Sequence, residues 1–333
     1  MPETDPLVTV VIPARNEEGF IGACLASITG QTYRNLDVVV VDGASTDTTA
    51  AIVERIGDDD PRVRLVTNPA AITPVSLNVG LREARGDWLV RVDAHATVPP
   101  DYVALAVSHL RTGKWGGVGG RKDGIGFTPA GRAIAVAMSS PFGVGGSTYH
   151  HGTEVQTVEH VPFGAYPTGL ARAIGGWDER LRVNQDFEFD WRLRQSGHDL
   201  LFDPALRIDW VCRQSTRDLL KQYVRYGRGK ARVAAMHPKS LSLRHLVPPL
   251  FVVYLVAAAA LAPFWPLLAA LAVSPYFGFV LVGSLVTARK LRLHESVHLP
   301  FVFLAMHLGW GYGFLRGALE VALDRLRAAS RAA

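Results

Sequence analysis

Three carboxylates and one imidazole occupy positions from which chemistry could be done. Asp93 and His95 fall in Arg91-Val92-Asp93-Ala94-His95-Ala96, directly after the apolar run Trp88-Leu89-Val90. Side chains alternate along an extended segment, so residues two apart point the same way and can reach one object together. A carboxylate and an imidazole with open positions suit a divalent cation, Mn²⁺ or Mg²⁺, bound to phosphate oxygens. The plain alternative is a surface turn with a stray histidine. Asp42 opens Asp42-Gly-Ala-Ser-Thr-Asp47 at the end of another apolar run, where it could accept hydrogen bonds from a base or ribose. Gly43 allows a tight turn there and Ser45 or Thr46 a helix cap, which an ordinary strand-to-helix turn would also use. Asp186 lies in Asn184-Gln-Asp-Phe-Glu-Phe-Asp-Trp-Arg-Leu-Arg194. With Asn184 as N-cap, Asp186 sits in the first helical turn, where the dipole favours its ionised form. It is then either a dipole partner only or a general base facing an acceptor hydroxyl. Phe187 with Trp191, and Phe189 with Leu193, pair at i,i+4 as packing, and Asp190 with Arg194 predicts a helix-surface ion pair.

These residues need elements to hold them. Leu7 to Ile12 and Leu36 to Val41 are short β-branched runs, which mark strands buried on both faces. Arg64 to Val66 and Trp88 to Val92 read as two more. Helical patterns fill the gaps, from Phe20 to Ile28, Thr46 to Arg55 and Pro74 to Ala84. Such alternation predicts an α/β fold with a parallel, doubly wound sheet, whose ligands sit outside the carboxyl ends of its strands. The segment after the first strand, Pro13-Ala-Arg-Asn-Glu-Glu18, lacks the glycine-rich turn of a dinucleotide-binding domain, which argues against hydride transfer.

The chain has 333 residues, a net charge of +5 and 48% hydrophobic residues, a balance that directs attention to the membrane. The 43 residues from Leu246 to Ala288 contain no Asp, Glu, Lys, Arg or His, enough for two spans of roughly 20 residues. Pro263-Phe-Trp-Pro266 reads as a turn at the membrane interface between them. A third apolar stretch, Leu299 to Leu315, contains His307 and a glycine-rich Gly-Trp-Gly-Tyr-Gly-Phe run expected to kink. Arg289, Lys290 and Arg292 place the loop after the second span on the cytoplasmic side by the positive-inside rule. The expected organisation is a soluble domain over 1–240 and a membrane domain over 241–333, with two to three spans at about 246–263, 266–288 and 298–316. Cys24 and Cys212 are far apart in sequence and predict a reduced compartment without a disulfide framework. The polar start Met1-Pro-Glu-Thr-Asp5 lacks the pattern of a secretory leader. The Arg-rich, aromatic segment from Arg207 to Arg244 reads as a surface facing lipid headgroups rather than nucleic acid.

In combination, "VTVVIPARNEE", "VVVVDGASTD", "GDWLVRVDAHA", "GGWDE" with "NQDFEFDWRLRQSG", and "QYVRYGRG" resemble the family 2 glycosyltransferases, in order across roughly residues 7–230. The wording is most similar to the membrane-anchored, succinoglycan-synthesis branch. The resemblance implies a GT-A fold, a nucleotide-sugar donor, a divalent metal and inversion at the anomeric carbon. Carried over, Pro13, Arg15 and Glu17 line the nucleotide pocket with Asp42 on the base. Asp93 matches the first carboxylate of a DxD motif, with His95 at its last position, where most members have Asp. Asp186 matches the base of the xED motif. Gln222, Arg225 and Tyr226 stand at a QxxRW motif with Tyr in place of Trp, and Gly164, Tyr166 and Trp177 shape the acceptor side.

The resulting expectation is an inverting hexosyltransferase at the cell membrane, multi-pass, with its catalytic domain cytoplasmic. It would move a hexose from a UDP-linked donor to a polyprenyl-linked saccharide in cell-surface polysaccharide synthesis. A processive synthase and a non-catalytic scaffold of the same fold are the rival readings. Transfer breaks a sugar–phosphate bond, so the leaving diphosphate gains charge that a cation, with Arg225 or Arg228, would offset.

Overall fold

A computed structural model describes residues 5–332; the start Met1–Thr4, part of the leader reading, lies outside the described residues. The chain divides into two compact units, one of residues up to 123 together with 148–211, the other of 124–147 together with 212 onward.

The first unit begins with four parallel strands: β1 (Val8–Ala14), β2 (Leu36–Asp42), β3 (Val63–Thr67) and β4 (Trp88–Arg91). They are joined by helices α1 (Ile21–Thr29), α2 (Thr49–Asp59) and α3 (Thr73–Glu83). The runs of valine and isoleucine form strands because β-branched side chains fit a pleated sheet covered on both faces. All of β2 is buried, and all of β1 except Pro13. The strand order is β3-β2-β1-β4. The order in which successive strands are added therefore reverses between β1 and β4, the switch point at whose carboxyl ends such sheets bind their ligands.

Beyond β4 the sheet turns antiparallel, which the helix–strand alternation of the first hundred residues did not foretell. The order continues through β8 (Ala165–Pro167), β6 (Trp115–Ile125) and β9 (Asp199–Val211) to the short β5 (Ala96–Thr97), with β7 (Gln156–Val158) on β9. Val90 pairs with Ala165 and Ala96 with Trp210. Helices α4 (Tyr102–Leu110), α7 (Thr148–His151), α8 (Thr168–Ala173) and α9 (Gln185–Gln195) complete this unit; α5 (Pro129–Met138) and α6 (Pro141–Val144) belong to the other. The fold is thus a mixed α/β sheet, parallel in its first half.

One apolar core joins the sheet to α9. Val11, Val39, Leu77 and Leu89 pack with Tyr166, Trp177, Phe189 and Leu193. Trp177 stacks on Phe189 at 4.5 Å, and Tyr166 meets Phe189 edge-on at 4.9 Å. The charged faces of α9 are sorted differently from the expected Asp190–Arg194 pair. Glu188 takes Arg192 at 2.7 Å, while Asp190 is buried and accepts from Val161 N–H, His160 and the Tyr166 hydroxyl.

In the second unit, α10 (Thr216–Met236) starts at Ser215, whose hydroxyl accepts from the Asp218 N–H. It is followed by α11 (Leu243–Leu261), α12 (Pro266–Ala288), α13 (Leu293–Ser296) and the 34-residue α14 (Leu299–Ala332). Among the described residues, α11 and α12 are the two helices long and apolar enough to cross a membrane. The third apolar stretch becomes the first half of α14, and its glycines do not kink it. They form a contact face instead: a Cβ at Gly313 would sit 2.1 Å from the Val224 carbonyl oxygen, and one at Gly227 2.0 Å from that of Trp310. Hydrogen alone at these positions lets α10 and α14 approach closely.

Candidate active site

The loops at the carboxyl ends of the parallel strands are strained in a common way. Among the described residues, five non-glycine residues adopt left-handed backbone angles: Asn16, Ala44, Ala71, Phe163 and Asn184. The first three follow β1, β2 and β3; Phe163 precedes β8, and Asn184 precedes α9. Such conformations cost about 1–3 kcal/mol each and mark sites where geometry matters more than comfort. Asn184 stands at the N-cap of α9, but its side chain makes no cap hydrogen bond, a departure that follows from its left-handed backbone.

Hydrogen bonds stitch these loops together. The Asn16 N–H donates to the Ser45 hydroxyl, the Thr46 N–H to Asn16 Oδ1, and the Glu17 N–H to the Thr49 hydroxyl. Glu18 accepts from Thr48. The exposed Arg15 donates to the Ala71 carbonyl at 3.1 Å. Asp42 is buried at the end of β2; its Oδ2 accepts from the Ser45 N–H at 3.1 Å, and its Oδ1 has no protein partner. A buried carboxylate oxygen without a donor costs free energy, and a ligand N–H or hydroxyl would satisfy it.

From the β1 loop the network reaches the β4 exit. His95 Nδ1 lies 3.0 Å from Glu17 Oε1, and the Trp210 indole N–H reaches His95 Nε2 at 2.9 Å. An indole can only donate, so Nε2 is the acceptor and the imidazole proton sits on Nδ1, directed at Glu17. Both ring nitrogens are therefore engaged. Lys122 Nζ lies 3.7 Å over the Trp210 ring and 4.9 Å over Phe163, a cation–π stack that fixes the indole from its far side.

Arg91, at the end of β4, binds the two remaining carboxylates. Its Nη2 donates to Asp93 Oδ1 at 2.9 Å, and its Nη1 pairs with Asp186 Oδ1. Burial by itself would favour the neutral guanidine, but Asp186 and Asp93 outweigh it and hold the charge in place. Arg91 has no role among the residues that the sequence motifs single out. Arg91, Asp93 and His95 share an i, i+2 spacing, but residues 94–95 form a turn, closed by the Ala96 N–H on the Asp93 carbonyl at 2.9 Å, so Asp93 and His95 engage different partners instead of one object. Behind this layer, burial raises the Asp190 carboxyl above the usual carboxylate range, opposed by His160, Val161 and Tyr166.

The first unit thus holds two contact networks, Glu17–His95–Trp210 and Asp93–Arg91–Asp186, which meet in the chain segment 93–95, and the Asp42 loop is tied to the first through the β1 loop. Tyr166 and Trp177, expected on the acceptor side, are core residues instead, 2% exposed each and locked by aromatic packing. Gly164 serves the same packing, since a Cβ there would strike the Tyr166 hydroxyl at 2.3 Å. Gln222, Arg225 and Tyr226 lie on α10 of the second unit. Gln222 Nε2 donates to the Tyr226 hydroxyl at 2.7 Å, Gln222 Oε1 is buried without a partner, and Arg225 is exposed. Arg228 forms an ion pair with Glu320 at 2.5 Å.

A divalent cation is implied by the resemblance, and the side chains test it directly. Among the described residues no three His, Cys, Asp or Glu side chains form a cation cage. Asp93 Oδ2 has no protein hydrogen bond, whereas the His95 lone pair is taken by Trp210. The donor set therefore fits a cation that takes Asp93 from the protein and the rest of its shell from phosphate and water, as Mg²⁺ and Mn²⁺ commonly do. His95 does not fit as a ligand while Trp210 donates to it.

Comparison with known proteins adds to this geometry. Residues 9–152 match the family described as Glycosyl transferase family 2. The chain is 31% identical over 315 residues to the succinoglycan biosynthesis protein ExoA of Rhizobium meliloti, covering 93% of this chain and 94% of that protein. It is 24% identical to a dolichyl N-acetyl-alpha-D-glucosaminyl phosphate diacetamido-dideoxyglucuronosyltransferase of Methanococcus voltae, covering 94% and 97%. A mannosyltransferase of Pyrobaculum calidifontis, solved with GDP-Man and Mn²⁺, superposes with a TM-score of 0.66 at 22% identity, over 90% of this chain and 87% of that one.

Proposed function

The chain belongs to glycosyl transferase family 2, with an inverting glycosyltransferase's GT-A fold, and on that premise we propose that it moves a hexose from a UDP-linked donor to a polyprenyl-linked saccharide at the cytoplasmic face of a membrane. The product would be a cell-surface or exopolysaccharide precursor, a reading supported by the likeness to a succinoglycan biosynthesis protein.

The observation that carries it is the division of labour around Arg91. One side of the guanidinium holds Asp93, which keeps Oδ2 for a cation on the donor diphosphate; the other holds Asp186 near the mouth of α9. A bound cation would neutralise charge on the departing diphosphate. Asp93 would hold it, and the Glu17–His95–Trp210 chain would keep the adjoining loop rigid. Asp186, paired with Arg91 and partly exposed, takes the proton of the attacking hydroxyl. Inversion needs one base on the face of the sugar opposite the leaving group, and the ion pair with Arg91 aims this carboxylate. Asp42 Oδ1 receives a donor N–H or hydroxyl from the nucleotide, and Arg15 and Glu17 border it.

The membrane assignment rests on α11 and α12, whose most apolar stretches are only 11% and 22% buried. Soluble proteins rarely leave so much contiguous apolar surface in water. Phe264 and Trp265, both exposed at the turn between the two helices, suit interfacial anchors. We read two spans, with α14 lying along α10. An anchored enzyme and a lipid-borne acceptor meet in two dimensions, which favours a lipid-linked substrate. Transfer of radiolabelled sugar from UDP-hexoses into an organic lipid extract tests this; label confined to water-soluble product contradicts it.

A further inference from the structure

A cavity of about 560 Å³ opens in the second unit where α12 ends, lined by Arg132, Arg289, Lys290, Leu291, Arg292 and Glu295. Four cationic side chains face one carboxylate, and that carboxylate is already used. Glu295 Oε1 accepts from Arg132 Nε at 2.5 Å, and Oε2 from the Arg292 backbone N–H at 2.9 Å. These donors, the backbone one foremost, hold the Glu295 carboxyl below its usual range, so it stays ionised and keeps Arg132 in place. Arg132 is further fixed by Nη1 on the Phe127 carbonyl, which leaves its Nη2 without a protein partner among the described residues. None of the described carboxylates forms an ion pair with Arg289, Lys290 or Arg292. The cavity is a concentrated positive charge with room for an anion.

Its surroundings say which kind. Arg289 is the C-cap of α12, so the cavity begins where the apolar helix stops. Leu281, Val282, Leu285 and Val286 are exposed on the approach from α12, and Leu293, Val297 and Phe301 are exposed just beyond it. A free anion has no use for these flanking apolar surfaces. A molecule with a charged head and acyl chains uses both, its head among the basic residues and its chains along α12.

We propose that this cavity binds the phosphate headgroup of an anionic membrane lipid, anchoring the second unit at the depth where α12 leaves the bilayer. The site rests on the reading of α11 and α12 as spans and is independent of the sugar-transfer residues. The recognition is by paired guanidinium and ammonium donors on phosphate oxygens.

The test uses the full chain purified in a neutral detergent, followed by thermal unfolding with three additives: dioctanoyl phosphatidylglycerol, dioctanoyl phosphatidylcholine and sodium phosphate. Binding to the folded state raises the melting temperature by mass action. The expected result is a saturable rise with phosphatidylglycerol alone. Neutralising two of the cations, Arg289→Gln with Lys290→Gln, should weaken the apparent affinity about 30-fold, and the charge-keeping pair Arg289→Lys with Lys290→Arg should retain it. Should the neutralised protein fail to fold, native mass spectrometry of the wild type decides, by whether phosphatidylglycerol stays bound in preference to phosphatidylcholine. An equal rise with phosphatidylcholine, an equal rise with inorganic phosphate, or a full response in the neutralised variant overturns the proposal. Carbonate extraction of membranes separates it from the span reading. Recovery in the soluble fraction contradicts both, whereas a membrane-resident chain indifferent to phosphatidylglycerol contradicts the headgroup site alone.

Discussion

Asp93, just after β4, and Asp186, in the first turn of α9, bind the same guanidinium, that of Arg91. The relationship makes the two carboxylates interdependent. It also explains how two acids can stand close together in a partly buried site, since each faces the same counter-charge. Replacing Arg91 by Gln should therefore do two things. Leaving the carboxylates without their counter-charge should destabilise the fold by about 3–5 kcal/mol. Sugar transfer should fall at least a hundredfold, of the order seen when one preorganised charge is removed. Chemical denaturation and a transfer assay on the same preparation check both.

The cation prediction separates Asp93 from His95. Stripping divalent metal with a chelator should abolish donor binding, and Mn²⁺ should restore it. Asp93→Asn should weaken Mn²⁺-dependent donor binding by at least about 10–100-fold, the range that loss of even an outer-shell partner of a metal ligand costs. Trp210→Phe keeps the ring but removes the indole N–H that occupies His95 Nε2. With His95 bracing the loop and not ligating the cation, this variant should bind Mn²⁺ no more tightly than the wild type; tighter binding would make the freed His95 Nε2 a ligand. Isothermal titration calorimetry reads each value.

Much of the parallel half of the fold was legible in the sequence. β1, β2 and β4 announced themselves as β-branched runs because a strand covered on both faces has no polar side to interrupt the pattern. The antiparallel half was not, since strands such as β6 carry Gly116, Gly117, Gly119 and Gly120 and have little periodicity to detect. The acids were found by their place after strands, but their partners were not. Glu188–Arg192 and Asp190–Arg194 have identical spacing, and only the packing of α9 decides which pair is a true ion pair and which acid is buried against His160. Tyr166 and Trp177 fall in motif positions that read as functional, yet their bulk fills the core. Local spacing cannot tell which face of an element turns inward.

His150 supplies a pH dependence of stability. Burial, reinforced by the nearby charges of Lys122, His151 and His160, lowers its pKa from 6.5 to about 3 in the folded protein. The unfolded chain then binds one more proton than the folded one between those values, so stability is full above pH 6.5 and falls as the solution is acidified. The loss amounts to about 2 kcal/mol at pH 5. Urea midpoints from pH 8 to pH 4.5 should show it, and His150→Gln should flatten that limb. An unchanged slope would count against the buried, neutral histidine.

The glycine face between α10 and α14 predicts a contrast within one residue type. A Cβ at Gly227 would press on the Trp310 carbonyl oxygen, whereas at Gly278 it would meet nothing within 4 Å. Gly278→Ala should leave stability unchanged or raise it by up to about 1 kcal/mol through helix propensity. Gly227→Ala should lower it by about 1–3 kcal/mol through overpacking. Melting temperatures of the two variants in the same detergent give the comparison.

The central claim is that Asp186 serves the chemical step while Asp93 serves the donor, and one variant tests it most directly. Asp186→Asn keeps the size and most of the polarity of the side chain but removes its basicity. In single-turnover transfer with saturating nucleotide sugar, the rate should drop by about 10²–10⁴-fold, while the donor dissociation constant measured by calorimetry stays within about threefold of wild type, well under the tenfold that 1.4 kcal/mol represents. Transfer at the wild-type rate in Asp186→Asn, or a loss of donor affinity as large as the loss of rate, would contradict the assignment.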